Sequence, residues 1–170
     1  PGRFYSDPGV QSLLREKVFA NSWQFVGDTD LVKVPGQACP FTLLEGCLDE
    51  PLLLTRDMED RLHCLSNVCT HRGTILVEAP ARERTLTCRY HGRRFNLDGT
   101  FKFMPEFEGV RGFPSESDHL RKVAFGTWNK FVFTSLAPRV PLEEILRPLT
   151  ERVGWMPLHE CVFDASRSKD

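Results

Sequence analysis

The sequence predicts a mainly β protein, an antiparallel sandwich or barrel preceded by one amino-terminal helix. Three observations carry that prediction. After Asn21 the chain breaks into short runs rich in β-branched and aromatic residues. Turn residues punctuate the runs, most clearly Asp57–Asp60 and the Asp98-Gly99 pair. No helical periodicity intervenes between them, so neighbouring runs pair as antiparallel strands instead of crossing over.

Taken in order, the elements begin with SDPGVQSLLREKVFANSW, which reads as a helix. Ser6 or Asp7 can cap it, and Pro8 suits the first turn, where its missing N–H does no harm. Val10, Leu13, Leu14, Val18 and Phe19 then share one face at spacings of three and four. The strand-like runs follow as WQFVGD, LVKV, PFTLLEG, PLLLTRD, RLHCLSNV, RTLTCRY, RRFNLDG, RKVAFGTW and KFVFTS. From Ala137 the chain turns proline-rich, and PLEEILRPLTERV makes a short helix beginning near Pro141. The closing HECVFDASRSKD starts as a strand and ends in charge. Organisation follows as residues 1–22 (amino-terminal helix), 23–136 (one β domain) and 137–170 (a linker).

With 170 residues, 41% of them hydrophobic, the chain can bury one real core. A formal charge of −1 gives no global attraction to nucleic acid or anionic membrane. No apolar run approaches the roughly 20 residues of a spanning helix, and no signal peptide is visible. A cytoplasmic protein is expected. The chain opens on Pro1 where Met is usual, which suggests a processed or excised piece. Cys39, Cys47, Cys64 and Cys161 read as reduced thiols, although Cys39 and Cys47 flank one segment and could pair. Cys64 and Cys161 have strand-like surroundings.

The remaining two cysteines carry the chemistry. CTHRG at Cys69–Gly73 and CRYHG at Cys88–Gly92 each set a cysteine near a histidine and then a glycine. The pattern is Cys69-x-His71, then residues 72–87, then Cys88-x-x-His91. Two thiolates and two imidazoles suit borderline or soft metals, and glycine lets the backbone turn closely around them. A Cys₂His₂ zinc site is one alternative, but it usually takes a cysteine pair from one element and a histidine pair from another. Here each loop offers one of each, as an iron–sulfur unit with unlike ends requires. In such a [2Fe–2S] centre of the Rieske type, Cys69 and Cys88 hold one iron, and His71 and His91 the other.

The segments NVCTHRGTILVEAP and LTCRYHGRRFNLDGTF resemble the Rieske domain of non-haem iron oxygenases, ring-hydroxylating and choline monooxygenase-like. REKVFANSWQFVGDTDLVKVPG is similar to that family's lead-in, and GTWNKFVFTSLAP to its exit strands. The resemblance implies a sandwich with a smaller cluster-binding β subdomain. Thr74 and Tyr90 stand where respiratory Rieske proteins carry an extra disulfide. Arg93 stands where those proteins place a serine hydroxyl and where oxygenases commonly have tryptophan. Fewer hydrogen bonds to the sulfurs imply a low potential. Pro105 fits a third loop covering the centre. Arg72, Arg89, Arg93 and Arg94 make this end basic, as solvated side chains or as a docking patch for an acidic donor.

The family's Rieske domain relays single electrons from a reductase or ferredoxin to a mononuclear Fe(II) in a separate catalytic domain. That domain belongs to its own or a neighbouring subunit, often within a trimer. The iron there is held by two histidines and a carboxylate. His63, His119 and His159 are not spaced to share a helix face, so none is expected to be such a ligand. The expected role is therefore electron relay without a catalytic residue of its own. A stand-alone Rieske ferredoxin is the alternative, and the amino-terminal helix and the region after Ala137 count against it.

Overall fold

The computed structural model describes residues 2–167, which carry three antiparallel sheets in series. The strands are β1 (Gln24–Asp28), β2 (Gln37–Leu43), β3 (Glu50–Arg56), β4 (Leu62–Ser66), β5 (Ala81–Arg82), β6 (Leu86–Thr87), β7 (Arg94–Phe95), β8 (Phe101–Phe103), β9 (Ala124–Trp128) and β10 (Phe131–Ser135). A four-stranded sheet runs β4-β3-β2-β5, with β1-β10-β9 as a second sheet and β6-β7-β8 as a third.

The PLLLTR run explains why the molecule has two cores. It is β3, an interior strand paired on both sides, and such strands read as continuous apolar runs because both faces are covered. Leu52 and Leu54 face one way, packing with Cys39, Leu43, Cys64 and Val132 toward the β1-β10-β9 sheet. Leu53 faces the other way, into a cluster with Leu65, Leu86, Phe95, Cys69 and Cys88. The neighbouring Thr55, fully buried, donates its hydroxyl to the Leu97 carbonyl and fixes the small sheet against the large one.

Several expectations need correction. LVKV is no strand, because Thr29–Val32 form a 3₁₀ turn capped by the Asp28 carboxylate. HECVFD is no strand either: Leu158–Glu160 make a 3₁₀ turn, the segment after it is irregular, and residues 168–170 lie outside the description. The short strands β5 and β8 were not anticipated, since two or three residues give no periodicity to read. At the amino terminus α1 (Arg3–Ser6) precedes α2 (Pro8–Leu14), which passes into a π-helical turn at Arg15–Phe19. Asp7 caps α2 through the Gly9 and Val10 amides with Pro8 in its first turn, as expected. The apolar stripe is only partly covered: Val10, Leu14 and Phe19 are half-buried, whereas Val18 is exposed and Leu13 remains 56% exposed. The later helix α3 (Leu142–Val153) starts after Pro141 and carries Pro148 inside.

Both ends of the β domain meet. The Ala137 amide and the Ser135 hydroxyl donate to the Ala20 carbonyl, and the Trp23 indole donates to that of Val140. The hairpin between β3 and β4 is closed by a charged knot. Asp57 is buried and accepts from the Glu59 and Arg61 amides, the Arg61 guanidinium and the His63 ring. Burial alone would raise its carboxyl, but His63 and Arg61 outweigh that and hold it at about 2. Because the folded value lies below the unfolded one, the stabilisation is complete above about pH 4 and disappears as pH falls toward 2. Asp57→Asn is expected to lower stability at pH 7 by about 2.5 kcal/mol. Urea melts of both proteins should converge between pH 4 and 2.

Candidate metal centre

Both motif loops fold as the same turn. In the first, which follows β4, the Gly73 amide donates to the Cys69 carbonyl at 3.0 Å, and the Cys69 amide to that of Thr74 at 2.8 Å. In the second, between β6 and β7, Gly92 donates to Cys88 at 2.9 Å and Cys88 to Arg93 at 2.8 Å. Glycine thus stands four residues after cysteine in both loops, at φ 71° and 72°, a left-handed conformation costly for other residues. Within this shared frame His71 sits two residues after its cysteine and His91 three.

The turns bring all four side chains together. Cys69 and Cys88 are almost wholly buried in the cluster around Leu53 and Phe95. His71 and His91 lie outside them with ring centroids 4.7 Å apart, edge to face. The Nδ1 atoms of both rings are buried without a hydrogen-bond partner, the only such side-chain nitrogens or oxygens among the described residues. A buried polar atom of this kind normally has a partner.

The electrostatics distinguish the four. Burial pushes the Cys69 thiol up, opposed by the His71 amide and the Arg93 charge. Burial also acts on Cys88, but the Tyr90 and His91 amides, Cys69 and the Thr74 hydroxyl outweigh it and bring that thiol down. Burial lowers His71 first, then the charges of His91, Arg93 and Arg72, which favours a neutral imidazole with a lone pair to give. Among the described residues no three His, Cys, Asp or Glu side chains gather as a single-ion site. A one-metal Cys₂His₂ arrangement needs four donors around one point, whereas a two-iron unit needs only two side chains at each iron.

A third segment walls the site. Pro105 lies against Gly92, where an added Cβ would come within 3.1 Å of the Pro105 Cγ. Phe107 faces His71 with centroids 6.4 Å apart, and Tyr90 leans on His91 at 3.8 Å. The placement of Pro105 beside the second loop is as the sequence suggested.

Arg93 is not where the sequence suggested. Arg72, Arg89 and Arg94 are exposed, but Arg93 is 3% exposed and so belongs to no solvated patch. Its guanidinium donates to the Thr70 hydroxyl at 2.7 Å, to Asp118 at 3.0 Å and to the Met104 sulfur at 3.3 Å. Phe101 and Phe113 flank it at 5.4 Å each. Burial alone would raise Asp118, but the Ser115 amide and hydroxyl and Arg93 hold its carboxyl below the usual range. An arginine in a motif loop reads as surface by default, and its partners lie too far along the chain for spacing to reveal them.

The other candidates fall apart from the site. Cys39 and Cys64 are buried, Cys47 is partly so and Cys161 is exposed, and none of the six cysteines is bridged. Burial pushes Cys64 up to about 11. His63 belongs to the Asp57 knot, the His119 Nδ1 accepts from the Phe101 amide, and His159 is exposed. Asn67 escaped the sequence reading: its carboxamide exchanges two hydrogen bonds with the Val77 backbone and so braces the first loop from below.

Comparison with known proteins gives this geometry a context. Choline monooxygenase of Amaranthus tricolor is 33% identical over 136 residues, which are 80% of this chain and 30% of that protein. The glycine betaine monooxygenase oxygenase subunit of Chromohalobacter salexigens is 32% identical over 153 residues, 89% of this chain and 33% of the relative. The chain thus spans about a third of the length of these relatives. A solved quaternary ammonium Rieske monooxygenase, described for carnitine oxidation and inter-subunit electron transfer, superposes with a TM-score of 0.81. It is 25% identical and matches 91% of this chain and 42% of its own. Residues 22–114, more than half of the chain and including both glycine-closed turns, match one family along their whole run, and the chain belongs to the Rieske [2Fe-2S] domain family.

Proposed function

We propose that Cys69, His71, Cys88 and His91 hold the [2Fe–2S] cluster of this family and that the chain is the electron-relay domain of a non-haem iron oxygenase. The observation that carries the ligand assignment is the pair of partnerless Nδ1 atoms beside two buried thiols. When bound, the cluster supplies one-electron storage. The residues divide the work around it. Cys69 and Cys88, anchored in the core, would hold one iron through thiolates. His71 and His91 would hold the other through Nδ1, which leaves Nε2 to carry the proton. Backbone amides of His71, Tyr90 and His91 and the Thr74 hydroxyl donate toward the sulfurs.

The relay reading rests on the relatives, which are oxygenase proteins about three times longer than this chain. It assigns residues 1–22 as an amino-terminal helical segment, 23–136 as the Rieske domain and 137–170 as the lead toward a catalytic domain with its own mononuclear Fe(II). The electron enters from a reductase or ferredoxin. It leaves from the histidine side toward that iron, in the same or a neighbouring subunit of a trimer. Arg72, Arg89 and Arg94 form the exposed basic edge on which an acidic donor docks. A cytoplasmic location is part of this reading; among the described residues no helix is long and apolar enough to cross a membrane.

Iron and acid-labile sulfide should be present in equal amounts, and dithionite should produce a paramagnetic signal that Cys88→Ser abolishes. Colourless parent protein after reconstitution would refute the assignment. With Arg93 standing where a second-loop serine hydroxyl would donate to the centre, the midpoint should fall in the lower part of the roughly −150 to +300 mV Rieske span. Protein-film voltammetry giving a value well above zero contradicts this. Reduction by an acidic donor should slow as salt rises, and Arg72→Glu should slow it further at low salt.

A further inference from the structure

Arg93, buried, and Asp118, half-buried, make an ion pair beside the ligand loops. The guanidinium is anchored in the second loop two residues after His91. It reaches the hydroxyl of Thr70, which sits between Cys69 and His71, and the sulfur of Met104, which precedes Pro105. Thr70 also donates to the Asp118 carbonyl, so the pair and the first loop form a closed ring of hydrogen bonds. Asp118 is itself fixed by the Ser115 amide and hydroxyl across a short 3₁₀ turn. Four separate segments therefore converge on one planar fork.

We propose that Arg93 and Asp118 are the positioning pair of this metal centre: the fork ties both ligand loops to the covering segment, and the carboxylate cancels the charge the fork brings, keeping the reduction potential low. This rests on the assignment of Cys69, His71, Cys88 and His91 as ligands. A fixed cation near a redox group favours the reduced, more negative state, and a fixed anion opposes it. With Arg93 buried and Asp118 mostly shielded, solvent screens the pair less than it would surface charges, so an uncompensated arginine would raise the potential. Lysine cannot replace the geometry, since one ammonium has no fork with which to meet Thr70, Asp118 and Met104 together. Groups that orient metal ligands from behind in this way tune both affinity and potential.

The test uses the full 170-residue chain, reconstituted with iron and sulfide, with D118N, R93M, R93K and the R93M/D118N double variant. D118N leaves the arginine unbalanced and should raise the midpoint, whereas R93M leaves the carboxylate and should lower it. Each shift should be at least roughly threefold in the reduction equilibrium, about 28 mV at 59 mV per tenfold for one electron. The double variant should fall between them. R93K keeps the charge, so its midpoint should stay within that threefold limit while a chelator bleaches its visible spectrum about fivefold faster. Shifts in the same direction for both single variants, or none of threefold size, would mean that the pair only packs. If R93M retains no cluster, D118N decides alone, and an unraised midpoint overturns the proposal. If the parent chain itself shows no reducible cluster, the ligand assignment fails and the role of the pair falls with it.

Discussion

A polar atom sealed from water must find a partner, and the Nδ1 atoms of His71 and His91 find none among the described residues. Left so, each would cost on the order of 1–3 kcal/mol, in a domain whose whole stability is only a few times that. The fold nevertheless holds both rings against each other, beside two buried thiols, by means of two matching turns. The arrangement is intelligible when a metal takes the lone pairs. Ligation energy is then part of what makes the loops fold.

The scaffold explains how such a site is kept rigid. The central strand β3 is covered on both faces, and Leu53 sends one of its faces straight into the cluster that contains Cys69 and Cys88. The two cysteines and the two histidines thus differ in setting for a structural reason. The cysteines are core residues that also present sulfur, while the histidines stand at the rim of the same turns. Asn67 beneath the first loop and Pro105 beside the second restrict both from opposite sides.

Around this centre the charges are arranged unevenly. Arg72, Arg89 and Arg94 reach solvent, where salt screens their charge. Arg93 is enclosed by two phenylalanine rings and matched by Asp118, where screening is weak. Four arginines that look equivalent along the chain therefore stand in two different settings, three in solvent and one packed inside beside the motif loops.

Alternating and continuous apolar runs, with turn residues between them, were enough to place most strands, the cap at Asp7 and the two glycine-closed loops, because those features depend on neighbours within a few residues. The cysteine–histidine pattern was legible for the same reason, since each loop is a five-residue turn. What the tertiary structure decided is whatever depends on residues far apart. It left the amino-terminal helical stripe only half covered, turned LVKV into a 3₁₀ turn, and made strands of Ala81–Arg82 and Phe101–Phe103 by pairing alone. It also drew Arg93 inward to Asp118, twenty-five positions away. Local spacing records how a chain turns, but burial and charge pairing are properties of surfaces that meet only after folding.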